Sequence, residues 1–310
     1  MTSLFFFVLA FACSTSKPGG DTSSAETETT LRPVGTPSDH ACPAMESTNT
    51  GSFSSGGEER TVTMVVPDSP TEGMPLIFFF HGLLDPGSTP RPTAYLASAL
   101  GLQQRANDLG VVFALPQSGV LSRLGIQFFM WDVEDGESAD VQLFDDIRSC
   151  ASTNLGVDMA RVHAVGNSGG GLFTTMVVRE RSDALASMVE ISGGSDIDML
   201  TFESPLSAYE TPEVAVPSLV ISGGENDEWP GGGLTLVDFE AASDALADQL
   251  AADGNYVVRC HHSLGHSIPM AAITAVELWT QSHVFNHTST VQEAGVESFE
   301  ELSDWCAEHS

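Results

Sequence analysis

The sequence predicts an α/β fold, a mostly parallel central sheet with helices on both faces. Three observations carry that prediction. Segments with strand and helix signatures alternate from Arg60 to Phe285. Several strand segments, "MPLIFFFHG" and "VVFALPQ" among them, are unbroken apolar runs. A strand with one wet face alternates, whereas a strand covered by helices on both sides does not. Finally, "RVHAVGNSGGGLF", residues 161 to 173, reads as a strand, a tight turn and the start of a helix.

The elements follow in order. "RTVTMVVP" alternates and opens the sheet, and "MPLIFFFHG" is a buried strand ending at His81-Gly82. "YLASALGLQQRANDLG" has helical spacing and leads into "VVFALPQ". In "SADVQLFDDIRSCAS", Val141, Phe144, Ile147 and Ala151 share one helical face. "GGLFTTMVVRER" is a helix after the glycine turn, and "ASMVEISGG", "PSLVISGGEND" and "NYVVRCHHSLGH" are three strands running into polar or glycine-rich loops. "AASDALADQLAADG" supplies a helix between the last two strands, and "MAAITAVELWTQSHVF" one after them. In such sheets, functional residues collect at the C-terminal ends of the strands. In "SFEELSDWCAEH", Ser298 and Glu301 fit a capping box, with Phe299, Leu302 and Cys306 on a docking face. The tail 286–310 is thus expected to carry a short docking helix.

With 310 residues, 42% of them hydrophobic, the chain can build one full α/β domain. Its 42 acids outnumber its 11 bases for a formal net charge of −31, and Lys17 is the single lysine. Such a surface repels nucleic acid and anionic membranes and favours neutral substrates.

The N-terminus reads as a targeting segment. "SLFFFVLAFAC" is a short apolar run, too short to span a membrane, and Ala10-Phe11-Ala12-Cys13 loosely matches a bacterial lipoprotein cleavage box. No basic residue precedes the run, and Ala10 stands where Leu is usual. The expected organisation is a signal peptide over 1–13, with Cys13 as lipidation site and membrane tether, then a disordered tether over 14–40 rich in Ser, Thr and acids. The catalytic domain is expected over 41–285. This places the protein outside the cell or lipid-anchored at the bacterial envelope. Cys42, Cys150, Cys260 and Cys306 remain, which suggests disulfides in an exported chain. Four cysteines allow three pairings. Cys42 with Cys306, which bracket the domain, is one candidate, and free buried thiols are the alternative. None sits at the CxxC spacing of a zinc site.

Gly166-Asn167-Ser168-Gly169-Gly170 matches G-x-S-x-G, a turn that presents a serine nucleophile between a strand and a helix. The glycines two before and two after keep side chains out of the turn, and the helix N-terminus points its N–H groups at a developing oxyanion. A phosphate cradle is a poorer fit, because G-x-x-x-x-G-K-[ST] is missing and the only lysine lies near the N-terminus. Serine needs a base and an orienting acid. His266, in the loop after the last strand, is the leading base, with His261 and His262 as competitors nearer the strand. The H-x-x-x-H spacing of His262 and His266 would suit zinc only on a helix, which Gly265 argues against. Asp227, after "LVISGG", is the leading acid, ahead of Glu225, Glu228 and the more distant Asp196 and Asp198. The oxyanion hole needs two backbone donors, assigned to the N–H groups of Gly169 and Leu83, with His81 holding the Leu83 loop.

Together "FFFHG", "VVFALPQ", "WDVEDGESADVQLFDDI", "VDMARVHAVGNSGGG", "GGENDEWP" and "GHSIP" resemble the polyhydroxybutyrate depolymerase and feruloyl esterase-like branch of the α/β-hydrolases, over residues 60 to 285. The resemblance implies an α/β-hydrolase fold and a secreted serine esterase that uses no cofactor. Asn167 and Gly169 beside the serine, and the acidic loop around Asp227, depart from that pattern. The segment between "ISGG" and "PSLVISGG" is too short for a large lid domain, so an open site is expected, with Trp131 and Trp229 as candidate substrate contacts. The expected substrates are neutral esters, hydroxycinnamoyl esters or polyesters, with polymeric partners included. A serine peptidase, or a surface-tethered binding protein without turnover, remain the alternatives.

Overall fold

The computed structural model describes residues 29–310 except 124, 135–137, 200, 201, 203, 232 and 233. The leader over 1–13, including Cys13, lies outside the described residues. The strands are β1 (Asn49–Ser55), β2 (Glu58–Val65), β3 (Leu76–Phe80), β4 (Val112–Pro116), β5 (Gly119–Arg123), β6 (Ile126–Met130), β7 (Val162–Asn167), β8 (Ser187–Ile191), β9 (Ser218–Ser222), β10 (Glu228–Gly231), β11 (Leu234–Asp238), β12 (Val257–His261) and β13 (Cys306–His309). The helices are α1 (Pro92–Ala99), α2 (Leu102–Leu109), α3 (Ala139–Leu155), α4 (Gly169–Arg181), α5 (Phe239–Ala252), α6 (Met270–Ser282) and α7 (Thr290–Ala294).

A nine-stranded sheet runs in the order β1-β2-β4-β3-β7-β8-β9-β12-β13. Its six central strands, β4 through β12, are parallel, and antiparallel strands close both edges. Each apolar run is buried on both faces, as β3 shows: Leu76, Phe78 and Phe80 join the core layer shared with α3, α4 and α5, while Ile77 and Phe79 join the layer under α2 and α6. Two hairpins, β5-β6 and β10-β11, stand apart from the main sheet.

The domain is larger than the sequence suggested. The sheet begins before Arg60 with β1, whose "NTGSFSS" is polar because it is an edge strand exposed over its first four residues. Residues 32–40, expected as tether, are anchored to the domain. Arg32 pairs with Asp183 at 2.7 Å, Ser38 bonds Asp146, and Ser149 Oγ donates to the Gly35 carbonyl at 2.6 Å. The tail does carry a short docking helix, α7, with Val291 buried, but the segment expected to form it is a series of turns leading into β13, which pairs with β12. The docking residues do dock: Leu302 is fully buried, and Phe299 and Cys306 pack on the layer under α6. The capping box belongs to Ser289 and Gln292 of α7, not to Ser298 and Glu301.

The disulfides are Cys42–Cys150 and Cys260–Cys306, so the Cys42–Cys306 pair is not formed. The β12-β13 register explains one, since it sets Cys260 opposite Cys306 with Cα atoms 4.0 Å apart. The other fastens the N-terminal segment to α3.

Candidate active site

Ser168 follows β7, the strand flanked by β3 and β8, and it is the N-cap of α4. Its φ of 56° and ψ of −125° are a conformation L-residues rarely adopt. The surrounding contacts hold it there: its N–H donates to the Ile191 carbonyl at 2.9 Å, and its carbonyl accepts the first helical bond from Leu172 at 3.0 Å. The glycine spacing has a direct steric cause. A Cβ on Gly166 would lie 2.0 Å from the Gly170 carbonyl oxygen, and one on Gly170 would lie 2.1 Å from the Phe80 carbonyl oxygen. No side chain fits either place.

The turn after β3 meets this helix start. Leu83 N lies 3.4 Å from where a Gly169 Cβ would stand, so the turn packs against the start of α4, and both residues line one cavity with Ser168. His81 fixes that turn. Its Nδ1–H donates to the Gly82 carbonyl at 2.7 Å and its Nε2 accepts from Ser118 N–H at 3.2 Å, which requires a neutral ring. Burial agrees, pushing its pKa down to about 4 against the Gly82 carbonyl, which favours the charged ring.

Trp131 is not a substrate contact here. It is 2% exposed, stacks on Phe173 with ring centroids 4.6 Å apart, and donates its indole N–H to the His81 carbonyl at 2.7 Å. Burying the indole requires that partner, and the pairing makes Trp131 a brace under the Leu83 turn.

Asp227, in the loop after β9, is fully buried. Its Oδ1 accepts from His266 Nδ1 at 2.7 Å, and its Oδ2 accepts from Ser192 Oγ and Gly223 N–H, each at 2.7 Å. Burial raises its pKa, but the hydrogen bonds from His266, Ser192 and Gly223 outweigh burial and the net shift is downward. Among the competing acids, Asp196 bonds Tyr209 N–H and Gln249, while Glu225 is exposed. Of the competing histidines, His261 pairs with Glu240 at 2.8 Å, and His262 Nδ1 accepts from Leu264 N–H.

The acid and histidine loops interlock through two glycines: Gly265 N–H donates to the Gly223 carbonyl at 3.0 Å, and a Cβ on Gly223 would lie 2.1 Å from the Gly265 carbonyl oxygen. His266 stacks on Phe239, the first residue of α5, with ring centroids 4.4 Å apart. Its Nδ1 is held by Asp227, so Nε2 is the nitrogen left to face a nucleophile. Among the described residues neither that Nε2 nor Ser168 Oγ makes a hydrogen bond, as is common before a substrate tightens the site.

Ser168, Gly169, Leu83, Phe239 and Trp229 all line one cavity of about 310 Å³. Its walls are apolar: Leu121, Ile126, Phe128 and Met130 from the β5-β6 hairpin, Met199, Phe202 and Leu206 from the segment after β8, and Leu236 and Val237 from β11. Two small hairpins, not a large lid domain, wall the site, and two of their residues, Ile126 and Leu236, stay about half exposed. Sequence reading missed these walls, Phe239 and Ser192. The alternation in β5 and β6 signals a hairpin, but nothing local shows that it folds over Ser168.

Glu240, Asp244 and His261 lie close enough to share an ion, yet Arg259 already pairs with Asp244 at 2.8 Å and His261 with Glu240. The cluster is satisfied by its own side chains.

No family model and no curated protein match the chain. Solved structures do. The native form of a protein called pOPH superposes with a TM-score of 0.66 at 16% identity, covering 89% of this chain and 97% of its own. LAE6, an alpha/beta hydrolase enzyme from the metagenome of Lake Arreo, was solved as a variant lacking one serine. It gives 0.54 at 13%, covering 77% and 82%. The chain has the α/β-hydrolase fold. An esterase from Pyrobaculum calidifontis gives 0.53 at 15%, covering 77% of this chain and 84% of its own. In this fold the nucleophile sits on a G-x-S-x-G turn between a strand and a helix, with the acid before the histidine in the chain. Ser168, Asp227 and His266 occur in that order.

Proposed function

We propose that the protein is a secreted serine hydrolase of neutral carboxylic esters. The observation that carries this is one arrangement: a strained Ser168 at a helix N-terminus, an apolar cavity lined by Ser168, Gly169, Leu83 and Phe239, and a His266–Asp227 pair 2.7 Å apart whose imidazole stacks on that same Phe239. Ser168 Oγ attacks the ester carbonyl carbon while His266 Nε2 takes its proton. The oxygen gains negative charge and accepts from Gly169 and Leu83 N–H. Asp227 keeps the proton of the ring on Nδ1 and stabilises the imidazolium. As the C–O bond breaks, His266 returns the proton to the leaving alcohol. Water, with His266 again as base, releases the acyl group and restores Ser168.

The cavity narrows the substrate. Among the described residues that line it, Ser168 is the one hydroxyl, carboxyl or amide side chain. A phenol or sugar hydroxyl buried there would lose its water partners without replacement. The site therefore suits hydrocarbon-rich acyl groups, including units of a polyester, better than hydroxycinnamates. Trp229 and Phe239 supply aromatic walls. Export is supported by the two disulfides, which persist in oxidising compartments.

The test is hydrolysis of nitrophenyl acetate, butyrate and octanoate, methyl ferulate and a polyester film. Butyrate and longer nitrophenyl esters should be cleaved and methyl ferulate poorly. Turnover of none of these would favour the tethered binding protein on the same fold.

A further inference from the structure

The last glycine of "GNSGGG", Gly171, meets the turn after β8 at Gly193. A Cβ on Gly171 would lie 3.0 Å from Gly193 Cα and 3.2 Å from Glu190 Oε1. Glu190, in β8, is completely buried. Its Oε1 accepts from Gly193 N–H, and its Oε2 has no partner. Gly193 follows Ser192, whose φ of 51° is rare for a residue with a side chain. That conformation aims Ser192 Oγ at Asp227 Oδ2, on the opposite oxygen from His266. Resting on the reading above, we infer that Ser192 is a positioning residue for Asp227, and that Glu190, as a neutral acid, clamps the turn that carries it.

The neutral state follows from the surroundings. From β12, Arg259 is the one facing cation, and it already bonds Asp244 at 2.8 Å and Ser222 Oγ at 2.7 Å. From the loop after β9 the facing charge is Asp227, which opposes a second anion; Gly171 of α4 lies against its carboxyl, and α5 presents Ser243, whose Oγ is also without a partner. A buried carboxylate without an ion pair is costly, whereas a carboxylic acid has an Oε2–H to donate toward Ser243. Burial pushes Glu190 up to about 8, against Arg259 and the Gly193 N–H and Ser243 hydroxyl, which favour the charged form, and with help from the Asp227 charge. Above that pH a second negative charge develops beside the acid loop and loosens the turn.

The test uses purified full-chain protein and nitrophenyl butyrate, with kcat and KM measured from pH 5 to 10. Ser192→Ala should lower kcat by roughly 10-fold with KM unchanged, the loss of one hydrogen bond to a charged group. Glu190→Gln should restore a turnover that Glu190→Ala loses, and should remove the alkaline fall of activity expected in the parent near pH 8. If Glu190→Ala does not fold, the glutamine variant's profile still decides. An active parent whose Ser192→Ala keeps its kcat, or whose alkaline limb persists in Glu190→Gln, overturns this inference alone. A parent that neither turns over nor reacts with a fluorophosphonate removes the ester-hydrolase reading, and this inference with it.

Discussion

Phe239 lies nearly parallel to His266, their planes 15° apart, so one face of its ring supports the imidazole while the side chain also walls the cavity. The β10-β11 hairpin leads directly into this residue, and its N–H donates to the Asp227 carbonyl at 2.8 Å. A single residue thus ties the cavity wall to Asp227 and to His266.

Phe239→Ala should therefore impair both binding and chemistry. The loss of stacking and buried area predicts a fall in kcat/KM for nitrophenyl butyrate of about 30-fold, shared between a higher KM and a lower kcat. Unchanged kinetics would show that Phe239 only fills space.

Gly170→Ala should prevent correct folding, because its methyl group would overlap the end of β3 at the Phe80 and His81 carbonyls. Neither partner is a flexible side chain, so the cost should exceed about 4 kcal/mol. Gly35→Ala, with nothing within 4 Å, is the control and should leave the melting temperature unchanged. Thermal unfolding by circular dichroism compares the two.

Stability should fall in mild acid. Burial pushes His81 and His283 down to about 4, against the Gly82 and Trp279 carbonyls; burial, with the charges of His283 and Arg161, pushes His163 well below 6.5. The unfolded chain takes up these protons near pH 6.5 and the folded chain does not, so stability is full above that pH and declines below it. The gap for His81 and His283 corresponds to about 3 kcal/mol each by pH 4. Urea midpoints between pH 7.5 and 4 measure the decline; a midpoint constant over that range would contradict it.

Removing Cys260–Cys306 by a double serine substitution should release β13 and cost about 4 kcal/mol, from the 46-residue separation it closes. Urea unfolding of that variant against the oxidised parent gives the loss directly.

The sequence revealed what strict sterics impose. Gly166 and Gly170 are legible because backbone atoms stand within about 2 Å of their missing Cβ positions, and the two-sided apolar runs are legible because helices cover both faces. What escaped depends on distant contacts. Residues 32–40 look like tether because their anchors are polar: Arg32 on Asp183 and Ser38 on Asp146. Trp131 looks like a substrate contact until Phe173 and the His81 carbonyl enclose it. The cysteine pairing depends on the last residues adding a strand beside β12, which a helical spacing of Phe299, Leu302 and Cys306 concealed.

The central claim is that Ser168 is a nucleophile activated by His266. Incubation with a fluorophosphonate followed by peptide mass spectrometry tests it most directly. Ser168 should be modified stoichiometrically in the parent and not at all in Ser168→Ala, with labelling slowed by at least about 100-fold in His266→Ala. Modification at another residue, or equal rates in the parent and His266→Ala, would contradict it.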